Sequence, residues 1–451
     1  MGTPMISFKI LQSSQQINDL GGLSLIAQIL KSNPIFRYSP IADHRNVRSD
    51  RISDSDILIS YLTILCQGRT AFADVERFRQ SKFIPRVMDI KRVPSEEILR
   101  QRLDDLSVVK GILPELLKFN EEILKKCNFI PTKLPSGGDC IVLDIDVSPF
   151  DNSRTKKERV SCTYKMYDGF APAFAYLGEE GYMINSELRP GKQHCQNGML
   201  TFLQNSIAAA KRVLPQGTKL FVRLDSGNDA VENLIELLDN EDLFFLIKRN
   251  IRKECKQQWF NRAKSMGEQV YDNGYSTCFR GKVSHITPIK QTDMAIDVVI
   301  QATEKLEDKD GQQYIVPKYS VETYWTNLYE NSEEVIELYH QHGTSEQFHS
   351  ELKSDMGVER LPSSSFKTNS LVLTLANIAY NLLRKIGIDM VSIDGGQTKK
   401  SPVKRRRIKT VLQNIIYTAC KWVKTKGKNL LYWGCDSPDW WIIEKLYKQY
   451  K

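Results

Sequence analysis

The sequence predicts an α/β protein: a helical N-terminal segment, a mixed strand-and-helix core, a β-rich insertion and a basic, helical C-terminal region. Three observations predict it. Helical patterning fills residues 1–130, strand-like apolar runs begin at residue 139, and short alternating segments occupy 251–330 before helical periodicity returns. The chain therefore divides into 1–130, 139–250 as the first part of the core, 251–330 as the insertion, 331–390 as core helices and 391–451 as the basic region. With 451 residues, 41% hydrophobic and 26% charged, two or three domains around a sizeable core are expected. No run of about 18 apolar residues occurs, so a soluble cytoplasmic protein without a membrane partner is expected. The nine cysteines are scattered, with no CxxC and no histidine pair at zinc spacing, and read as reduced thiols.

The N-terminal elements follow from caps and breaks. Leu20 to Leu30 forms an apolar-rich helix that ends before Asn33-Pro34. Ser53 or Asp54 caps a helix reaching Leu65, and Thr70 to Arg79 carries charge on one side. Ser95, with Glu96 and Glu97 in the first turn, opens a helix in which Arg100 and Arg102 sit among Ile98, Leu99 and Leu103. Such a pair of helices suits a DNA-reading element or a plain helical subdomain.

In the core, Cys140–Val147 is a strand with Asp144 and Asp146 on one face. Val160–Tyr167 is a second strand, Asp168-Gly169 a hairpin turn, and Ala171–Leu177 a third strand. A helix over Asn197–Val213 leads to strand Lys219–Leu224, with Asp225 at its end. Ser226-Gly227 then turns into a helix over Asp229–Leu238, and strand Leu243–Ile247 follows. Three antiparallel strands followed by βαβ units is the order of an RNase H-like core. The insertion starts basic and then places strands at Val283–Ile286, Ile296–Ala302 and Tyr314–Trp325, with turns at Asn273-Gly274 and Asp310-Gly311. Glu330–Asp355 is one long helix, and Leu371–Ile386 is a buried one.

On the long helix, at about 100° per residue, Tyr339, His342, Glu346 and Lys353 fall within roughly 60° of one another. Leu338, Phe348, Leu352 and Met356 make a second, apolar stripe, and Glu351 points away from the polar edge. A solvated amphipathic helix has the same periodicity. The spacing Y-x2-H-x3-E-x6-K, however, resembles the Y-x2-R-x3-E-x6-K helix of bacterial insertion-sequence transposases of the DDE, RNase H-like class. That resemblance implies that Glu346 is the third metal-binding carboxylate, with Tyr339, His342 and Lys353 against DNA phosphates. His342 stands where the family has arginine, whose fixed charge and fork geometry it lacks.

The other two catalytic, metal-binding acids are then Asp146, followed by Val147-Ser148, and Asp225 in Leu224-Asp225-Ser226-Gly227. Asp144 is the competitor for the first position. Two divalent ions, Mg2+ or Mn2+, suit such hard oxygen ligands. The resemblance further implies a cut-and-paste transposase acting on terminal inverted repeats and target DNA as a homodimer on paired ends. A nuclease without strand transfer and a catalytically dead DNA-binding descendant are the alternatives.

A net charge of +9 supports a polyanionic partner only weakly. The excess concentrates after Lys399 and Lys400: Lys404, Arg405, Arg406, Arg407 and later lysines meet no acid before Asp436. Tyr417, Trp422 and Tyr432 interleave with these charges, which suits a phosphate-tracking surface; a solvated basic face is the alternative.

Overall fold

The computed structural model describes residues 9–12, 14–32, 52–289, 292–308, 310–397 and 403–451. The expected helix stop at Asn33-Pro34, as well as Lys399 and Lys400, lies outside them. A short strand β1 (Ile17–Asn18) precedes helices α1 (Leu23–Lys31), α2 (Asp54–Leu65), α3 (Glu76–Arg79), α4 (Phe83–Met88), α5 (Glu96–Ser107) and α6 (Ile112–Leu124). The caps are the serines. Ser53 Oγ accepts the Asp56 N–H at 3.0 Å and Ser95 Oγ that of Ile98 at 3.3 Å.

The centre of the molecule is β3 (Asp139–Val147), with the short β2 (Thr132–Lys133) on its flank. β3 pairs antiparallel with β7 (Ala173–Leu177), which pairs antiparallel with β8 (Tyr182–Glu187). On its other side β3 runs parallel to β9 (Leu220–Leu224), and β9 parallel to β10 (Leu243–Lys248). Between them lie α7 (Met199–Val213) and α8 (Val231–Leu238). A parallel central strand is covered on both faces, which is why Cys140–Ile145 reads as an almost unbroken apolar run. Ile141, Leu143, Ile145 and Val147 pack in one cluster with α7 and α8. Cys140 and Val142 face the opposite way, against Val335, Ile336 and Leu338. Asp144 and Asp146 continue that second face.

The insertion is β-rich, as expected, and it extends the same sheet. After α9 (Lys256–Met266), strands β11 (Glu268–Asp272), β12 (Ser276–Ile289), β13 (Thr292–Glu307) and β14 (Gln313–Thr326) form a meander, and β14 pairs antiparallel with β10. The helical run that follows is continuous but irregular. It consists of α10 (Ser332–His340), a 3-10 turn over Gln341–Gly343, α11 (Thr344–Ser350) and a π-helical turn over Glu351–Asp355. Helix α12 (Phe366–Asp394) is long and apolar enough to cross a membrane, yet 89% of its most apolar window is buried inside the protein.

Three expectations need correction. Val160–Tyr167 is not a strand of the central sheet: only Ser161–Cys162 within it is a strand, and the third antiparallel strand of the core is Tyr182–Glu187. Asp168-Gly169 is not a turn: β6 (Asp168–Phe170) pairs with β4 (Phe150–Asp151) and β5 (Ser161–Cys162) in a small separate sheet. The turn falls earlier, where Met166 adopts a left-handed φ of 64° and its N–H reaches Thr163 O. Gly169 serves a close approach instead, since a Cβ there would lie 1.9 Å from Phe150 O. Nor is the C-terminal region purely helical. Between the short α13 (Ile408–Val411) and α14 (Trp440–Tyr450), strands β15 (Cys420–Thr425) and β16 (Lys428–Trp433) form a hairpin that adds β1 as a third strand.

Candidate active site

Two acids on one face of β3 meet different surroundings. Asp144 is 3% exposed and sits in register opposite Arg223 of β9. Arg223 grips it bidentately, at 2.6 and 2.7 Å, and donates its remaining bond to Leu338 O at 2.7 Å. His342 Nδ1 lies 2.8 Å from the same carboxylate. Burial alone raises the Asp144 carboxyl, but Arg223 and His342 outweigh it and bring it down to about 2. Asp144 is thus a neutralised, fully bonded anion.

Asp146 has no cation of this kind. Its Oδ1 accepts the Val147 N–H at 2.7 Å, and its Oδ2 lies 3.2 Å from His349 Nε2. The other nitrogen of His349 faces Tyr176 Oη at 3.2 Å. Asp225 follows β9, the strand beside β3, and accepts a 2.6 Å bond from Asn228 Nδ2. Burial first, and the Asp146 charge second, push the Asp225 carboxyl up to about 6. Asp146 itself is held below the usual range because the His349 contact outweighs burial. Tyr164 and Tyr339 feel both acids, and burial with that charge raises each phenol. Asp146 and Asp225 therefore share one partly buried spot, ringed by Tyr164, Tyr339 and His342.

Glu346 is exposed on α11. At about 100° per residue it shares one side of the helical run with His342, His349 and Lys353, within roughly 60°. Its neighbours on that side reach successive points of β3 and beyond: His342 to Asp144, His349 to Asp146, and Lys353 Nζ to Pro149 O at 2.7 Å. Glu346 lies one turn after the first contact and one before the second. Among the described residues no three His, Cys, Asp or Glu side chains converge closely enough to hold an ion, so Glu346 does not close a cluster with the aspartates. The aspartate pair by itself fits a hard divalent cation, because its donors are carboxylate oxygens.

The expected phosphate contacts are tied into the protein to differing degrees. His342 is 6% exposed and committed to Asp144, so the structure places it as a partner of the buried ion pair rather than on the surface. Tyr339 is half-buried, with its ring 4.9 Å from that of Tyr324. Lys353 is half-buried too, and burial brings its ammonium down to about 8. In the basic run, Lys404 pairs with Glu179 and Arg405 lies 4.6 Å over the Phe348 ring. Arg406 pairs with Asp394 at 2.6 Å and Arg407 with Asp355 at 2.7 Å. Lys404, Arg406 and Arg407 thus meet acids that lie beyond the basic run, and Arg405 donates to Gln347 Oε1 at 3.0 Å. Arg102 is likewise engaged, by Asp54 and by Ile52 O, and Arg100 by Glu97.

Glu351 does point away from the polar edge, but into the core. It pairs with the fully buried Arg384 at 3.0 Å and accepts the Ile408 N–H at 2.8 Å. Arg223, His349, Tyr176 and Tyr164 escaped the sequence reading. Arg223 left a signal: a lone charge inside an apolar strand requires a buried counter-ion, and Asp144 is the acid in the neighbouring strand.

The family described as Transposase DDE domain group 1 matches residues 11–425. A cryo-EM structure of the piggyBac transposase synaptic complex with hairpin DNA is similar at 13% identity and a TM-score of 0.42, covering 88% of this chain and 77% of that one. No curated protein matches. Because the family match spans nearly the whole chain, including β3, β9 and the helical run of Glu346, the protein belongs to the DDE transposases.

Proposed function

We propose that the protein is a cut-and-paste transposase of an insertion sequence, with Asp146, Asp225 and Glu346 as its catalytic acids. The observation that carries this reading is the Asp146–Asp225 pair on adjacent strand ends, with no arginine or lysine partner among the described residues, beside an Asp144 neutralised by Arg223. The strand order β8-β7-β3-β9-β10 supports an RNase H-like core. Asp146 and Asp225, with Glu346 brought in from α11, would hold divalent magnesium or manganese, which stabilises charge on the attacking and leaving oxygens of a phosphodiester.

The chain's own residues then do the positioning. The Arg223–Asp144–His342 network fixes β3 against the helical run, and His349 orients the Asp146 carboxylate. Tyr339 and Lys353 flank the site where a phosphate would lie, and an approaching anion restores full charge to Lys353. Water is the nucleophile for nicking, and the freed 3′-hydroxyl is the nucleophile for joining. Terminal-repeat binding, a dimer on paired ends and a cytoplasmic, nucleoid-associated setting complete the proposal.

A plasmid carrying linked ends, incubated with the protein and magnesium, tests it. Excision with joining is expected. Asp146→Asn, Asp225→Asn and Glu346→Gln should each bind end DNA and fail to cut it. Cutting without joining selects the nuclease, binding without cutting the inactive descendant, and no binding at all refutes the reading.

A further inference from the structure

The cations of the C-terminal region fall into two populations once folded. Those at 404–407 are spent internally, on Glu179, Phe348, Asp394 and Asp355. Those of the β15–β16 hairpin are not. Lys424, Lys426 and Lys428 are exposed and Lys421 is half-exposed. Among the described residues none of these four ammonium groups has an ion pair or hydrogen bond. The sequence contains no acid between Asp394 and Asp436 to neutralise them locally.

The hairpin is anchored at one end and open at the other. Trp422, Leu431 and Trp433 pack against the core, whereas residues 424–429 are all exposed. Pairing of Thr425 with Lys428 leaves Lys426-Gly427 as a two-residue turn with φ of 38° and 81°. Both values are left-handed, as in a type I′ turn, where Asn, Asp or Gly is favoured at the first position. Lysine there costs backbone energy and sets a charge at the very tip.

We infer that this hairpin grips the backbone of duplex DNA, its four lysines contacting phosphates on either side of a groove. The inference rests on the transposase reading and names the element that holds the DNA. A two-stranded ribbon fits the major groove. Lysines are point charges that position without specifying, and the nearby Asn429 amide is already engaged by Trp422 Nε1 at 3.3 Å. The grip is therefore independent of sequence.

The test uses the full chain, titrated across a salt series onto a transposon-end duplex and an unrelated duplex of equal length. Replacing Lys424, Lys426 and Lys428 together by glutamine should weaken binding to both duplexes by the same factor. It should also flatten the slope of log K against log salt by about 2.7, at about 0.9 per contact, with the melting temperature unchanged. Lys426→Asn should separate stability from binding: an Asn-Gly turn raises the melting temperature while DNA affinity falls. A folded triple variant with unchanged slope overturns the inference and leaves the transposase reading standing. Loss confined to end DNA, or loss of self-association with DNA binding intact, also overturns it, in favour of a sequence reader or an interface between copies. Failure of the unsubstituted protein to bind either duplex overturns both.

Discussion

Asp144 and Asp225 lie on the same sheet, yet their removal should act on stability with opposite signs. Burial and the Asp146 charge push the Asp225 carboxyl from an ordinary 3.8 up to about 6, a cost to the folded state of at most about 3 kcal/mol. A carboxyl raised in the folded state is a penalty: absent below about pH 4, growing up to about pH 6, and complete above it. Asp225→Asn removes the penalty while keeping an oxygen for Asn228, so it should raise stability at pH 8 in the presence of a chelator and change little at pH 4. Asp144 is the reverse case. Its carboxyl is brought down to about 2, so its contribution is complete above about pH 4 and is lost as the pH falls toward 2. Asp144→Asn also leaves the Arg223 guanidinium buried without its counter-charge, a loss of about 3–5 kcal/mol. Urea unfolding at pH 8 and pH 4, with chelator, reads both. A lower midpoint for Asp225→Asn at pH 8, or a higher one for Asp144→Asn, would refute the assignment of one acid to structure and the other to chemistry.

Two further substitutions probe the helical run. Glu351→Gln leaves the fully buried Arg384 short of a counter-charge and should lower stability by about 3–5 kcal/mol, read by the same urea titration; a wild-type midpoint would remove Glu351 from the core framework. His342→Arg sets a second guanidinium beside Arg223 in a buried site. A lower melting temperature, together with reduced DNA cleavage, is the expected outcome, and wild-type values for both would show that the site reopens around the larger cation.

What the sequence made legible was local and periodic. The β3 run, the strand ending at Asp225, the serine caps and the polar side of the helix all rest on interactions within a few residues or on a repeat of fixed period. What it hid was set by contacts between distant segments. Nothing near residue 404 announces Glu179, and nothing near residue 351 announces Arg384. The misplaced turn has the same cause: Gly169 is demanded by the backbone of Phe150 across a sheet, not by its own neighbours. The hairpin is masked in the sequence by the charge of residues 420–433, where alternation and a Lys-Gly turn carry the structural signal.

The spacing of the helix motif has a metric origin in the strand beneath it. From His342 to Lys353 is eleven residues of helix, a rise of about 16 Å at 1.5 Å per residue. From Asp144 to Pro149, the two points they touch, is five residues, the last two beyond the end of β3, spanning at most about 17 Å at 3.3 Å each. The helical run and the strand are thus matched in length between their contacts. Four residues of helix after His342 rise about 6 Å and seven about 10 Å, which sets Glu346 between the His342–Asp144 and His349–Asp146 contacts. A shift of one residue along the helix would turn the carboxylate by about 100° and leave His342 and Lys353 without their partners. The Asp144–Arg223–His342 network is the pin that forbids such a shift, which gives a neutralised acid a structural task two residues from the acid proposed for chemistry.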